Sequence, residues 1–356
     1  MITKIVYKFV TLSALIGGLT TAAFAQENSA LLNILVKKGI LSSEEASALK
    51  EELAEDAQKT ITKTVSGGKK TTSISIYGRL QGQYANLDTD APGVASVNHF
   101  FARRTRLGVK ADLGENWITD LSYEFNAATI DKLVVGYRAD MQGTPFELDF
   151  GVRKVNFGLE ETTSSGSLKA IERSGATRYF VEPNNGRRLG AGKQRVGVFL
   201  DANSNARKGK ETGVFYGAAL TNPELPEGVE GSLSAGSALT NEMAYWVDGG
   251  YNVVTDSASY RIGAAAGLLP SQGGRQRSEG SDMQVFSLYG EVQSGAFRLS
   301  GEYLSASIDD GVGAGRDASP WGVWIQPSYM LDDNWELVAR ASYVDSDGRG
   351  IKVSDG

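Results

Sequence analysis

The chain has no cysteine and a single histidine, His99, in 356 residues. Without thiols there is neither a disulfide framework nor a thiolate metal site. One imidazole also removes most triad and zinc chemistry, which needs histidine beside defined partners. Basic charge is scarce as well: 36 Lys and Arg stand against 42 Asp and Glu. A nucleic-acid partner requires a basic face, so none is expected. Only 8 prolines accompany 43 glycines. No stretch beyond the N-terminus reaches the roughly 18 consecutive apolar residues of a membrane-spanning helix. These absences leave no sign of a cofactor or metal and argue against a helical membrane protein.

The N-terminus reads as an export signal. Lys4 and Lys8 precede the apolar run VTLSALIGGLTTAAFA, which ends on Ala23 and Ala25. A charged start, an apolar middle and an A-x-A exit place cleavage after Ala25, giving a signal peptide over 1–25. A membrane anchor is the competing reading, and the run is short for one. Residues 26–60 carry helical periodicity: Leu31, Leu32, Leu35 and Val36 form one stripe, and Ser42 with Glu45 makes a capping box for a second helix. Self-association as a short coiled coil and packing against the rest of the chain both fit. Residues 61–71 read as a flexible linker.

From Ser73 the apolar period becomes two. NWITDLSYEFN puts Trp117, Thr119, Leu121, Tyr123 and Phe125 on one face. NWELVARASYV does the same with Trp335, Leu337, Ala339, Ala341 and Tyr343, and EMAYWVDGGYNVV with Tyr245, Val247, Gly249 and Tyr251. About thirteen such strands follow one another. Aromatics fall at both ends of these faces, with small or aliphatic residues between. The eight steps from Trp335 to Tyr343 span about 26 Å of strand, or about 20 Å along a membrane normal at a tilt near 40°. That is the apolar band of an outer-membrane barrel with its two aromatic girdles. The expected fold is therefore all-β, an antiparallel transmembrane β-barrel over 72–356, embedded in outer-membrane lipid. Half of each strand would face water inside. Links such as 113–117 and 331–335 suit the periplasmic side, and 202–211, 222–241, 269–282 and 306–320 the longer extracellular side. Thirteen is odd, and a closed bacterial barrel needs an even number, so a fragment lacking its last strands is expected.

Three stretches carry a family resemblance. They are IYGRLQGQY (76–84), FFARRTRLGVKADLGENW (100–117) and FGVRKVNFGLEETTSSGSLKAIERS (150–174). Their combination of G-R-L-Q, F-x-R-R and F-G-L-E-x-x-T-S-S, followed by Glu172–Arg173, resembles the phosphate-selective porin family that includes porins O and P. The resemblance covers most of residues 70–200. It implies about sixteen strands, a homotrimer in the cell outer membrane of a Gram-negative bacterium, and a third loop, here 155–192, folded inward to narrow the pore. It also implies passive passage of small ions, with phosphate among the candidate anions. By position, Arg79, Arg103 and Arg104 match basic strand residues, while Thr163, Ser164, Ser165 and Arg173 match the constriction loop, with Lys169 among its hydroxyls. Guanidinium and hydroxyl donors suit an oxyanion, because they replace part of its hydration shell.

Alternation agrees in part. If Leu107 and Val109 face lipid, then Arg104, Arg106 and Lys110 face the lumen, and Arg103 points outward or to a rim. Two departures bear on selectivity: Glu161 stands where the family carries lysine, and Gly166 where it carries a basic residue. Arg106 and Lys154 occupy family tyrosine positions and offer compensation. Lumen carboxylates at Asp120, Glu124, Glu147, Asp149, Glu302 and Glu336 would oppose anions. A porin with anion preference, a cation-preferring or non-selective porin, and an envelope-tethering barrel therefore stay open. A barrel hydrolase would need partners for His99, and no such set is evident.

Overall fold

A computed structural model describes residues 63–67, 72–88, 96–182, 188–223, 242–272 and 282–351. The expected signal peptide and the helices of 26–60 lie outside these residues. The chain divides into two units, Met1–Lys63 with Ile76–Gly78, and Thr64–Ser75 with Arg79–Gly356. Of the first, only Lys63 and Ile76–Gly78 are among the described residues, each within a strand.

The second unit is one antiparallel sheet. Its strands are β1 (Lys63–Gly67), β2 (Thr72–Leu87), β3 (Val97–Leu113), β4 (Trp117–Glu124), β5 (Thr129–Met141), β6 (Thr144–Lys154), β7 (Gln194–Ala202), β8 (Gly213–Thr221), β9 (Ala244–Val254) and β10 (Ala258–Leu269). They continue as β11 (Met283–Ser294), β12 (Phe297–Gly313), β13 (Arg316–Ala318), β14 (Trp321–Met330), β15 (Glu336–Val338) and β16 (Ala341–Asp345). Neighbours in sequence are neighbours in the sheet, and no ladder closes it among the described residues. β1 lies where a linker is expected. From Thr72 onward, the expected segments and the observed strands coincide.

Two breaks in the last strands have a common cause. Ile308 faces Ala318 and Ser305 faces Trp321, so β13 and β14 share one register on β12. Pro320 sits in the gap, accepting from Ala306 N–H at 3.0 Å. Likewise Val338 faces Ser328 and Ala341 faces Ile325, so β15 and β16 are one strand on β14. The gap lies opposite Pro327, which accepts from Ala339 N–H at 3.1 Å and has no N–H to return. Counted by register, β2–β16 make thirteen passes.

Alternation sets the two faces. Trp117, Leu121, Tyr245, Val247, Trp335, Leu337 and Tyr343 are exposed on one side. Trp117 and Tyr137 pack edge to face at 5.1 Å toward the short-turn rim. Tyr303, Trp321 and Tyr343 pack together toward the other rim, with centroids 6.2 and 5.2 Å apart. The aromatics thus mark both edges of an apolar band. Strand parity puts the turns at 114–116, 142–143, 203–212, 255–257, 295–296 and 331–335 on one side, and the long connections 155–193, 222–243 and 270–282 on the other. The stretch 202–211 therefore belongs to the short-turn side, contrary to its polarity and length. Much of 306–320 is hairpin rather than loop, since β12 runs on to Gly313.

The inward face departs from a purely wet lumen. Trp246, Leu269, Met283, Val285, Leu304, Ile308 and Trp324 form a buried apolar cluster with the loop residues Phe157, Leu159, Tyr179, Phe180, Val181 and Leu189. The long-loop half of β9–β14 is thus dry because the β6–β7 connection lies on it.

The outward face makes a direct prediction. Val247→Arg, on a side chain 59% exposed in that band, should cost about 2–4 kcal/mol in lipid vesicles, as measured by urea unfolding. A cost near zero would mean that this face does not meet lipid.

Candidate functional site

The β6–β7 connection begins with the helical turn Leu159–Thr162 and later forms the helix Gly175–Val181. Ser174 caps the second helix, its Oγ accepting from Thr177 N–H at 3.1 Å. Its own N–H donates to Glu160 Oε2 at 2.8 Å, which ties the two helical pieces together.

At the heart of the loop is Glu161, with no exposed surface. Lys154 Nζ lies 2.6 Å from its Oε1, Arg173 Nε 3.1 Å from its Oε2 and Lys193 Nζ 3.5 Å from the same oxygen. Arg173 also donates to Glu160 O at 2.9 Å, and Lys154 to Glu161 O at 3.1 Å. Burial pushes the Glu161 carboxyl up, but Lys154, Lys193 and Arg173 outweigh it and hold it at about 2. From the sequence, Glu161 is expected at a constriction, as a charge met by the solute. It is instead an internal tie. The buried carboxylate is tolerated because three cations from β6, the loop and the start of β7 converge on it.

A second set of contacts fixes the loop to the wall. Arg79 of β2 donates to Ser165 Oγ and, at 3.0 Å, to Ser164 Oγ. Arg103 forms a bidentate pair with Glu172, its Nη2 at 2.8 Å, while Arg104 approaches the same carboxylate at 3.5 Å and Gln81 Oε1 at 2.7 Å. Arg103 therefore meets the loop rather than pointing outward. Burial pushes the Glu172 carboxyl up, and the hydrogen bond and charge of Arg103 pull it below its ordinary value. Lys169 pairs with Glu336 at 2.6 Å, and Arg340 with Glu160 at 3.0 Å. Leu159 N–H donates to Glu302 Oε1 at 2.8 Å and Ala176 N–H to Ser342 Oγ at 3.0 Å. Thr163 turns inward, donating to Leu159 O at 2.7 Å. Gly166 has a steric reason, since a Cβ there would lie 2.6 Å from the Arg79 guanidinium. A basic side chain would displace the residue that holds the serines.

The wall charges are mostly paired as well. Arg106 reaches Asp131 at 2.7 Å and Glu124 at 3.5 Å. A register shift between Ser122 and Tyr123 leaves Asp131 as an extra residue on β5, which turns it to the inward face. Asp120 pairs with Lys132, Glu147 with Arg138 and Asp149 with Arg153. Glu302 has no cation among the described residues; Ser287 and Trp324 donate to it at 2.6 and 3.0 Å. The expected carboxylate opposition to anions is thus largely spent within the wall.

Under the loop lies a cavity of about 680 Å³. Its lining includes Lys132, Arg153, Lys169, Arg207, Lys208, Lys210, Arg261 and Arg298 against Glu147, Glu160, Asp201 and Glu291, eight cations to four acids. Lys208 and Lys210 follow the helical turn Ser204–Arg207, whose Arg207 pairs with Asp201 at 3.2 Å and with Asp248. Neither lysine forms an ion pair among the described residues. Burial above all pushes the Lys208 amine down; Glu147 opposes, and the charges of Lys210, Lys110 and Lys132 add to the push. Length and polarity alone put this turn on the opposite side, which hides the pair in the sequence.

The Glu161 tie has a pH signature. Its folded value lies below its ordinary 4.5, so its stabilisation is full above that value and fades as pH falls toward about 2. Loop protection from protease should stay unchanged between pH 7 and pH 5. Glu161→Gln should lower stability by about 3–5 kcal/mol by removing the counter-charge shared by three cations, read by thermal unfolding in detergent. A neutral result would place the carboxylate outside the tie.

With this geometry in view, comparison with known proteins gives the family. Searching curated protein sequences returned no significant match. Among solved structures, in-vitro folded OmpT, an outer membrane protein of Vibrio cholerae, aligns at 12% identity over 77% of this chain and 87% of its own, TM-score 0.38. The outer membrane channel DcaP of Acinetobacter baumannii aligns at 14% identity over 79% of this chain and 93% of its own, TM-score 0.35. OccK8 (OprE) of Pseudomonas aeruginosa aligns at 10% identity over 77% and 94%, TM-score 0.29. The family profile described as phosphate-selective porin O and P matches residues 74–354, nearly the whole sheet and its loop. The chain therefore belongs to the phosphate-selective porin O and P family of outer-membrane porins.

Proposed function

We propose that the chain is a non-enzymatic porin, a homotrimer in the outer membrane, which favours small anions without a dedicated phosphate site. The observation that carries this is the cavity under the loop, lined by eight cations and four acids, with Lys208 and Lys210 outside any ion pair among the described residues. Such a surplus raises the local concentration of anions, and flexible lysine ammoniums hold them weakly enough to release. The trimer rests on family membership alone.

The residues that match the family's anion path speak against a phosphate-specific site. Arg79 holds Ser164 and Ser165, Arg103 and Arg104 hold Glu172, Arg173 holds Glu161, and Lys169 holds Glu336. Their donors position the loop, so little remains for coordinating a desolvated oxyanion. The cation-preferring alternative rests on Glu161 and on the lumen carboxylates; Glu161 is buried among cations, and Asp120, Glu124, Glu147, Asp149 and Glu336 each have a cation within 3.5 Å. His99 packs against Phe101 at 5.5 Å, which gives a hydrolase no support.

Reconstitution in planar bilayers tests this reading. Stepwise conductance is expected, with a reversal potential in a potassium chloride gradient on the anion side and similar permeability for chloride and phosphate. Replacing both lysines, Lys208→Glu and Lys210→Glu, should lower the anion-to-cation ratio by about tenfold. A wild-type potential on the cation side would overturn the anion preference, and absence of conductance would overturn the porin itself.

A further inference from the structure

On the outward face a depression of about 520 Å³ crosses β9–β14. Its floor is a glycine pair. Gly290 of β11 stands opposite both Ile262 and Gly301, and Gly301 stands opposite Ile325. Around this floor Ile262 is 60% exposed and Ile325 48%, so the rim is bulky where the floor is bare.

The fold does not ask for glycine at 290. Its backbone is outside the left-handed region, and a Cβ would meet only Arg261 O, at the ordinary distance of 3.7 Å. Glycine in a strand interior is otherwise unfavourable, because it loses backbone entropy and leaves its neighbours without a packing partner. A β-branched residue would be the better choice here for the sheet alone. Gly301 has less room, since a Cβ there would lie 3.1 Å from Trp324 O.

The depression is continuous with the apolar band, and the charged residues beneath it, Arg261 and Glu291, turn inward and pair with each other. At its short-turn end stand Tyr251 and Tyr260, 45% and 48% exposed. Neither hydroxyl makes a hydrogen bond among the described residues. An apolar trough in mid-membrane with two phenol donors at one rim has the chemistry of a phospholipid: an acyl chain on the glycines, and ester or phosphate oxygens at the tyrosines.

We propose that this trough is a binding site for one phospholipid of the leaflet on the short-turn side. The site rests on the membrane-facing assignment of the band and is independent of the ion preference. Native mass spectrometry of the purified porin, released from micelles containing phosphatidylethanolamine, counts retained lipid. Wild type should carry one phospholipid per chain. Gly290→Leu, which fills the floor, should cut occupancy at least about tenfold, and Tyr251→Phe with Tyr260→Phe should weaken it less. Gly82→Leu is the control, at a position where nothing lies within 4 Å of a Cβ, and should leave occupancy unchanged. Equal retention by Gly290→Leu and wild type overturns the site. So does a Gly290→Leu change that alters subunit number and leaves lipid retention intact, because the trough would then be a contact between copies.

Discussion

A buried carboxylate among three cations decides what this porin's loop is. Glu161 is withdrawn from water, and a charge so placed is tolerable only if paired and held in good geometry. Lys154, Lys193 and Arg173 supply the opposite charge from both feet of the loop and from its middle. With the feet held together, Phe157, Leu159, Phe180 and Val181 lie on the apolar cluster of β9–β14. Arg79, Arg103 and Arg340 add contacts from the wall to the loop. The loop is thus packed onto the sheet rather than hanging free of it.

This arrangement exchanges roles between residues. Basic side chains that look like an anion path in sequence act as struts: Arg103 and Arg104 pair with Glu172, Arg173 with Glu161 and Lys169 with Glu336, while Arg79 holds two serine hydroxyls. The remaining positive surplus sits lower, on the short turn carrying Lys208 and Lys210. The loop is thus anchored by one set of charged residues, and the lysines outside any described ion pair belong to another.

The strands were legible because their period is two and their aromatics mark the band edges: Trp335 through Tyr343 lie outward as alternation requires. Arg104 and Arg106 facing inward followed from Leu107 and Val109 facing out. The loop was recognisable as a polar interruption, yet its contacts were not, because Glu161 meets Lys193 and Glu160 meets Arg340 across spans that no local pattern encodes. Arg103 escapes the alternation read from Leu107 and Val109 because the phase changes along β3: Phe100 and Ala102 are exposed on either side of the inward Phe101, and Arg103 follows them to meet Glu172. Asp131 was hidden by a one-residue register shift. The side on which 202–211 falls needed only strand parity, and length and polarity misled. The dryness beneath the loop was invisible, since inward alanines, leucines and methionines look the same whether water or a helix covers them.

The central claim is that the loop is fixed, and amide hydrogen exchange in micelles addresses it most directly. The amides of Thr162, Thr163, Arg178 and Glu182, each bonded within the loop, should exchange as slowly as those in the middle of β10 and β11. Exchange at the rate of an unstructured peptide, with the strands still protected, would contradict a loop tied by Glu161 and would return the constriction to a mobile segment.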